Sequence, residues 1–117
     1  GDGKQVRDVL YIDDLIDAFW LSYKNRKKVK GEIFNIGGGP ENQVGILEFI
    51  KYLEKKLSKP IKYKFSNWRP GDQKYFVSNN SKLYKYLKWK PKVTMYDGVN
   101  RLLDWIIKNK KIISLFY

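Results

Sequence analysis

Val6-Arg7-Asp8-Val9-Leu10-Tyr11-Ile12-Asp13-Asp14-Leu15 is the stretch that decides the fold class. Val6 to Ile12 is β-branched and aromatic, with Val9 and Tyr11 alternating against Leu10 and Ile12, and predicts a strand. Asp13 and Asp14 then offer an N-cap and first-turn negative charge for a helix reaching about Tyr23. Within it Leu15, Ile16, Phe19, Trp20 and Tyr23 recur at helical spacing and predict a core-facing stripe. A strand that feeds directly into a helix is the unit from which α/β folds are built.

The alternation continues outward from that unit. Glu32 to Ile36 predicts a second strand, ended by Gly37-Gly38-Gly39-Pro40. A helix from about Ile46 to Leu57 follows, with Gly45 as its N-cap and Ile46, Phe49, Ile50 and Leu53 facing inward. Pro60 separates it from a strand over Ile61 to Phe65, and a short extended piece is expected near Tyr75 to Val77. Asn80 or Ser81 caps a short helix to Leu87, which Trp89 and Pro91 break. Thr94 with Asp97 is a capping-box variant opening the last helix, whose buried stripe reads Val99, Leu102, Leu103 and Ile106. The whole pattern is an α/β or α+β layout without internal repeats.

At 117 residues and 43% hydrophobic content, the chain can build one modest domain with a real core. No run approaches the ~18 apolar residues of a membrane span, and no secretory signal opens the sequence, which starts at Gly1 rather than Met as a fragment would. Cysteine is absent, which removes disulfides and thiolate chemistry; histidine is absent too, which removes the commonest general base and metal ligand. No metal site is expected. The balance of 24 Lys+Arg against 12 Asp+Glu gives +12, a charge that attracts polyanions. Yet the lysines are spread along the chain, as on a solvated surface, and only Arg7, Arg26, Arg69 and Arg101 are arginines. Arg101 has the spacing of helix-surface pairs with Asp97 and Asp104, and Arg26 sits in a charged loop. Arg7 and Arg69 remain for specific work.

Trp68-Arg69-Pro70-Gly71-Asp72 carries the clearest chemistry. Pro fixes φ and Gly accepts positive φ, the pattern of a type II turn, so the ends Arg69 and Asp72 lie within about 7 Å. A guanidinium fork suits phosphate, and a carboxylate suits hydroxyls. The same residues also suit a plain surface ion pair of small value. Gly37 to Gly39 fits neither dinucleotide nor phosphate-loop spacing and reads as a tight turn at a strand end. Tyr followed four residues later by Lys occurs at Tyr23/Lys27, Tyr52/Lys56, Tyr84/Lys88 and Tyr86/Lys90. Chance alone yields roughly one or two such pairs, and none of the four is read as catalytic. Tyr84-Lys85-Tyr86-Leu87-Lys88-Trp89-Lys90 could stack on single-stranded bases, but a short helix end packing Tyr, Leu and Trp on a core explains the same residues more cheaply.

Four blocks together resemble the C-terminal third of extended short-chain dehydrogenases/reductases of the NAD-dependent epimerase/dehydratase family. They are Gly3 to Leu15 with its R-D-hydrophobic-D-D pattern, Phe34-Asn35-Ile36-Gly37-Gly38-Gly39-Pro40-Glu41-Asn42, Asn67 to Lys74, and Leu87 to Val93 before a helix. The resemblance implies an α/β fragment. About 1–45 would be the last strands and helix of a Rossmann-like NAD(P)-binding domain, and about 46–117 a nucleotide-sugar-binding lobe. It implies an epimerase that oxidises a sugar carbon transiently with NAD and returns the hydride to the other face. Arg7 and Arg69 would hold the diphosphate and Asp72 the ribose hydroxyls of a nucleotide-diphospho-sugar, CDP-linked. Asn35, Gly37 and Gly38 would lie near cofactor and sugar.

The family's glycine-rich NAD loop and its Tyr/Lys dyad have no counterpart here, and Gly45 replaces the usual Ser at its helix start. No catalytic residue is therefore assigned, and the chain alone is expected to bind no NAD and to be inactive. The expected setting is cytoplasmic, with no specific nucleic acid, no membrane, and self-association through exposed edges and apolar patches. The rival reading is a small basic module that binds nucleotide or nucleic acid without catalysis.

Overall fold

A computed structural model describes residues 1–114. Three short strands form its sheet in the order β2-β1-β3, where β1 is Val6–Asp8, β2 is Gln43–Gly45 and β3 is Tyr75–Phe76. Around them lie α1 (Ile12–Lys24), α2 (Arg26–Val29), α3 (Ile46–Leu57), α4 (Ser81–Leu87), α5 (Met95–Lys108) and α6 (Lys110–Ile113). Strand β1 pairs antiparallel with β2 (Arg7 beside Val44, Asp8 beside Gln43) and parallel with β3 (Val6 beside Tyr75, Arg7 beside Phe76). Because side chains alternate along a strand, Arg7, Val44 and Phe76 share one face; Val6, Asp8, Gln43 and Tyr75 share the other.

Two small cores flank this sheet. Val44, Met95 and Val99 form one, with Val9, Phe49, Leu53 and Leu103 packed against it. Ala18, Leu83 and Trp89 form the other, with Leu10, Phe34, Ile36 and Leu87. Val9 and Leu10, neighbours in sequence, therefore serve different cores. Strand β1 stops at Asp8, short of the Ile12 that the pattern predicts, because ladder pairing reaches only Val6–Asp8 and α1 starts at Ile12. The N-cap of α1 is Tyr11, whose carbonyl accepts the Asp14 amide, rather than an aspartate. Asp14 is instead buried at 2% exposure, and its Oδ2 accepts the backbone N–H groups of Lys92 (3.1 Å) and Val93 (3.0 Å). The Trp89 indole N–H donates to the Asp14 carbonyl at 3.1 Å, so one residue pins the whole 89–93 segment onto α1.

Helices α3, α4 and α5 start where the sequence places them, while α2 forms in the stretch expected as a charged connection and α6 follows the end of α5. Gly45 precedes α3 and Asn80 precedes α4, while Thr94 accepts the Asp97 amide at 3.2 Å to cap α5. The apolar stripes depart from expectation. On α1 the buried residues are Asp14 and Ala18, whereas Ile16, Phe19, Trp20 and Tyr23 are exposed and Leu15 half-buried. Spacing showed an apolar face but could not show which side the chain covers. Along α5 Val99 is buried and Leu103 half-buried, but Leu102 and Ile106 are exposed; Arg101 lies over the Tyr11 ring, 5.5 Å from its centroid. Glu32 to Ile36 and Ile61 to Phe65 form no strand, since alternation marks a face and supplies no hydrogen-bonding neighbour. Phe34 and Ile36 still pack on the Trp89 core, and Ile33 is 84% exposed.

Asp14→Ala leaves two inward-turned N–H groups without their charged acceptor. It is expected to lower unfolding free energy by about 3 kcal/mol in urea denaturation, the scale of a hydrogen bond to a charged group. A loss below ~1 kcal/mol would show that solvent reaches the 92–93 backbone.

Candidate functional site

The Arg69–Asp72 turn forms as its residues dictate. The Asp72 amide donates to the Arg69 carbonyl at 3.1 Å, and Gly71 takes φ +78°, the value a type II turn requires at its third position. The carboxylate of Asp72 does not pair with Arg69 as the local reading allowed. Its Oδ1 lies 3.1 Å from the Arg7 guanidinium, which also donates to the Val6 carbonyl at 2.8 Å. The pair joins residues 65 apart in sequence and brings two of the three expected binding residues into contact. Arg69 stands exposed on the same turn, with no ion pair among the described residues. Both Arg7 and Asp72 side chains are about a third exposed (35% and 31%), so the pair itself contributes only about 0.2–1 kcal/mol. Trp68 packs under the Lys74 ammonium, 5.4 Å from the ring centroid, and closes the corner on its other side.

The glycine turn is built for packing. The Gly37 amide donates to Asn80 Oδ1 at 3.1 Å, the Asn80 amide returns a bond to the Gly37 carbonyl at 2.8 Å, and the Gly39 amide donates to Asp8 Oδ2 at 2.9 Å. A Cβ on Gly37 would lie 2.2 Å from Ser78 Oγ, and one on Gly38 would lie 2.1 Å from the Val9 carbonyl oxygen. These glycines are therefore needed for close backbone approach, and the Gly37 and Gly39 N–H groups already have protein acceptors. The Gly37 and Gly39 amides are thus not free to cradle a dinucleotide pyrophosphate. Asn35 is exposed, and no side-chain bond of it is among the described contacts. Asn80, expected only as a cap, proves to be the clamp of this turn, and Asn42 ties it onward. The Asn42 amide donates to the Gly38 carbonyl at 3.1 Å, and its Oδ1 accepts the Met95 amide at 2.7 Å. An Asn directly before a helix was the available signal for Asn80; nothing local marked Asn42 or Asp8.

Two further ionisable pairs lie outside this region. Lys82 hydrogen-bonds Glu32 and holds its carboxyl below the usual range, while Asp17 raises the Lys92 ammonium. Both pairs tie loops to helices, and neither faces Arg7. Among the described residues no group of three or more His, Cys, Asp or Glu could hold a metal ion, and no helix is long and apolar enough to cross a membrane.

The small α/β piece matches the C-terminal part of extended short-chain dehydrogenase/reductase epimerases. The chain belongs to the NAD-dependent epimerase/dehydratase family of extended short-chain dehydrogenases/reductases, and a family model described as GDP-mannose 4,6 dehydratase matches residues 1–102. More particularly, it is 38% identical over 105 residues to CDP-paratose 2-epimerase of Salmonella typhi, covering 90% of this chain and 31% of that protein. It is 34% identical over 114 residues to UDP-glucuronate 4-epimerase of Thermodesulfobacterium geofontis, covering 97% and 34%. Among solved structures it resembles UDP-glucuronic acid 4-epimerase from Bacillus cereus in complex with UDP-glucuronic acid and NAD, with TM-score 0.81 and 36% identity over 92% of this chain and 34% of that one. The chain thus spans about a third of the length of the relatives it matches.

Gly71→Ala places a Cβ in open space but forces a left-handed φ on an L-residue, and is expected to cost about 1–2 kcal/mol. Gly38→Ala, whose Cβ meets backbone, is expected to cost more than Gly71→Ala in the same thermal-melt series; the reverse order would mean that the 37–39 turn yields easily.

Proposed function

We propose that this chain is the part of a sugar-nucleotide epimerase that grips the nucleotide-diphospho-sugar. The observation that carries the reading is the Arg7–Asp72 contact at 3.1 Å on a turn that also presents Arg69. Two guanidinium groups offer forked donors for the diphosphate, and the carboxylate offers acceptors for vicinal ribose hydroxyls. Asp72 keeps the flexible Arg7 side chain extended toward the corner before ligand arrives, so less rotamer freedom remains to be lost on binding.

In this reading residues of about 1–45 complete the sheet and helix layer of a cofactor-binding domain, and residues of about 46–117 form the substrate lobe. The exposed apolar face of α1 and the unpaired segment 32–36 support that division. Asn35, Gly37 and Gly38 belong near the cofactor and sugar in this reading, away from the diphosphate. The substrate is CDP-linked, in line with the likeness to CDP-paratose 2-epimerase, and the setting is cytoplasmic. NAD supplies hydride chemistry to the whole enzyme; these residues supply the grip, and the chain alone is inactive. The basic-module reading is weaker, because a charge of +12 spread over lysines gives attraction without a shaped site.

Arg69→Ala in a full-length enzyme is expected to weaken CDP-sugar binding by about 1.5–3 kcal/mol, read by calorimetry. Unchanged affinity would remove Arg69 from the site. DNA binding by the chain is expected to vanish by ~200 mM salt, as nonspecific attraction does; binding that persists there would favour the module.

A further inference from the structure

On the face of the sheet opposite Arg7 lies an open groove of about 700 Å³, within the ~300–1,000 Å³ usual for small-molecule sites. Tyr75 comes from β3 and Tyr84 from α4, and both residues are exposed (61% and 49%). The Tyr75 hydroxyl donates to Gln43 Oε1 at 2.6 Å and the Lys88 ammonium lies 5.2 Å from the Tyr84 ring centroid, so each ring has at least one flat face left for a ligand. The groove is also lined by Ser78 and Asn79. Asn79 Oδ1 accepts the Ser81 amide at 2.9 Å, while its Nδ2 and the Ser78 hydroxyl have no bond among the described residues. Glu41 and Lys90 are the acid and base of the lining, the Lys88 ammonium lies over the Tyr84 ring, and no arginine belongs to the lining.

We infer that this groove is a second binding site, taking a neutral pyranose. Exposed tyrosine rings offer flat apolar faces for the C–H side of a sugar ring, and the free amide and hydroxyl offer partners for its hydroxyls. With no guanidinium in the lining, the groove lacks the forked donors that suit a phosphate, in contrast to the corner of Arg7 and Arg69. An aliphatic ligand would leave the Asn79 amide and Ser78 hydroxyl without exchange for their water. The groove opens on the sheet face opposite Arg7, so its reading does not rest on what the Arg7–Asp72 corner binds.

Titration of the ¹⁵N-labelled chain with methyl α-D-glucopyranoside and with maltose tests this directly. The expected result is saturable amide shifts at Ser78, Asn79 and Tyr84, none at Arg69–Asp72, and at least about a tenfold loss of affinity in Tyr84→Ala. Asn79→Asp keeps the acceptor for the Ser81 amide but removes the donor, and is expected to weaken binding severalfold. If Tyr84→Ala does not fold, the shift map and Asn79→Asp still decide the matter. Absent shifts, shifts centred on Arg69–Asp72, full affinity in a folded Tyr84→Ala, or cytidine competing at the same amides would each overturn the assignment.

Discussion

The buried carboxylate of Asp14 is the constraint on which the rest of the architecture depends. It takes the backbone of Lys92 and Val93, and its own carbonyl takes the Trp89 indole, so α1, α4 and the start of α5 share one anchor. A carboxylate at 2% exposure is costly unless hydrogen-bonded, and two N–H groups offset that cost. With the 89–93 segment fixed, Met95 falls onto Val44 and the second core closes against β2.

That second core in turn positions the corner. Val44 lies beside Arg7 in the sheet register, so packing of Val44 against Met95 and Val99 orients the strand that carries the arginine. On the other neighbour, β3 begins three residues after Asp72, and its pairing with β1 sets the distance between guanidinium and carboxylate. The ion pair is thus a product of sheet register more than its cause, in keeping with its small intrinsic worth.

Local signals were legible wherever one or two residues decide the outcome. The Pro70-Gly71 turn, the Thr94 cap and the starts of α3 and α4 all form where the sequence puts them. Family membership was also legible, from four blocks in order. Long-range choices were not. Nothing near Asp72 announces Arg7, 65 residues away, as its partner. Asp14 looked like a cap because its burial depends on Lys92 and Val93, far along the chain. The stripe on α1 has the spacing of a core face, yet periodicity reports amphipathicity without naming the surface that answers it.

That stripe has a colloidal consequence. Trp20 and Tyr23 stack at 5.6 Å between centroids and, with Ile16 and Phe19, present a greasy plate to water. Mutual repulsion between chains of charge +12 opposes contact between such plates. Added electrolyte shortens the reach of that repulsion to about 3 Å at 1 M while leaving apolar attraction intact. Concentrated brine should therefore cloud a preparation that stays clear in dilute buffer.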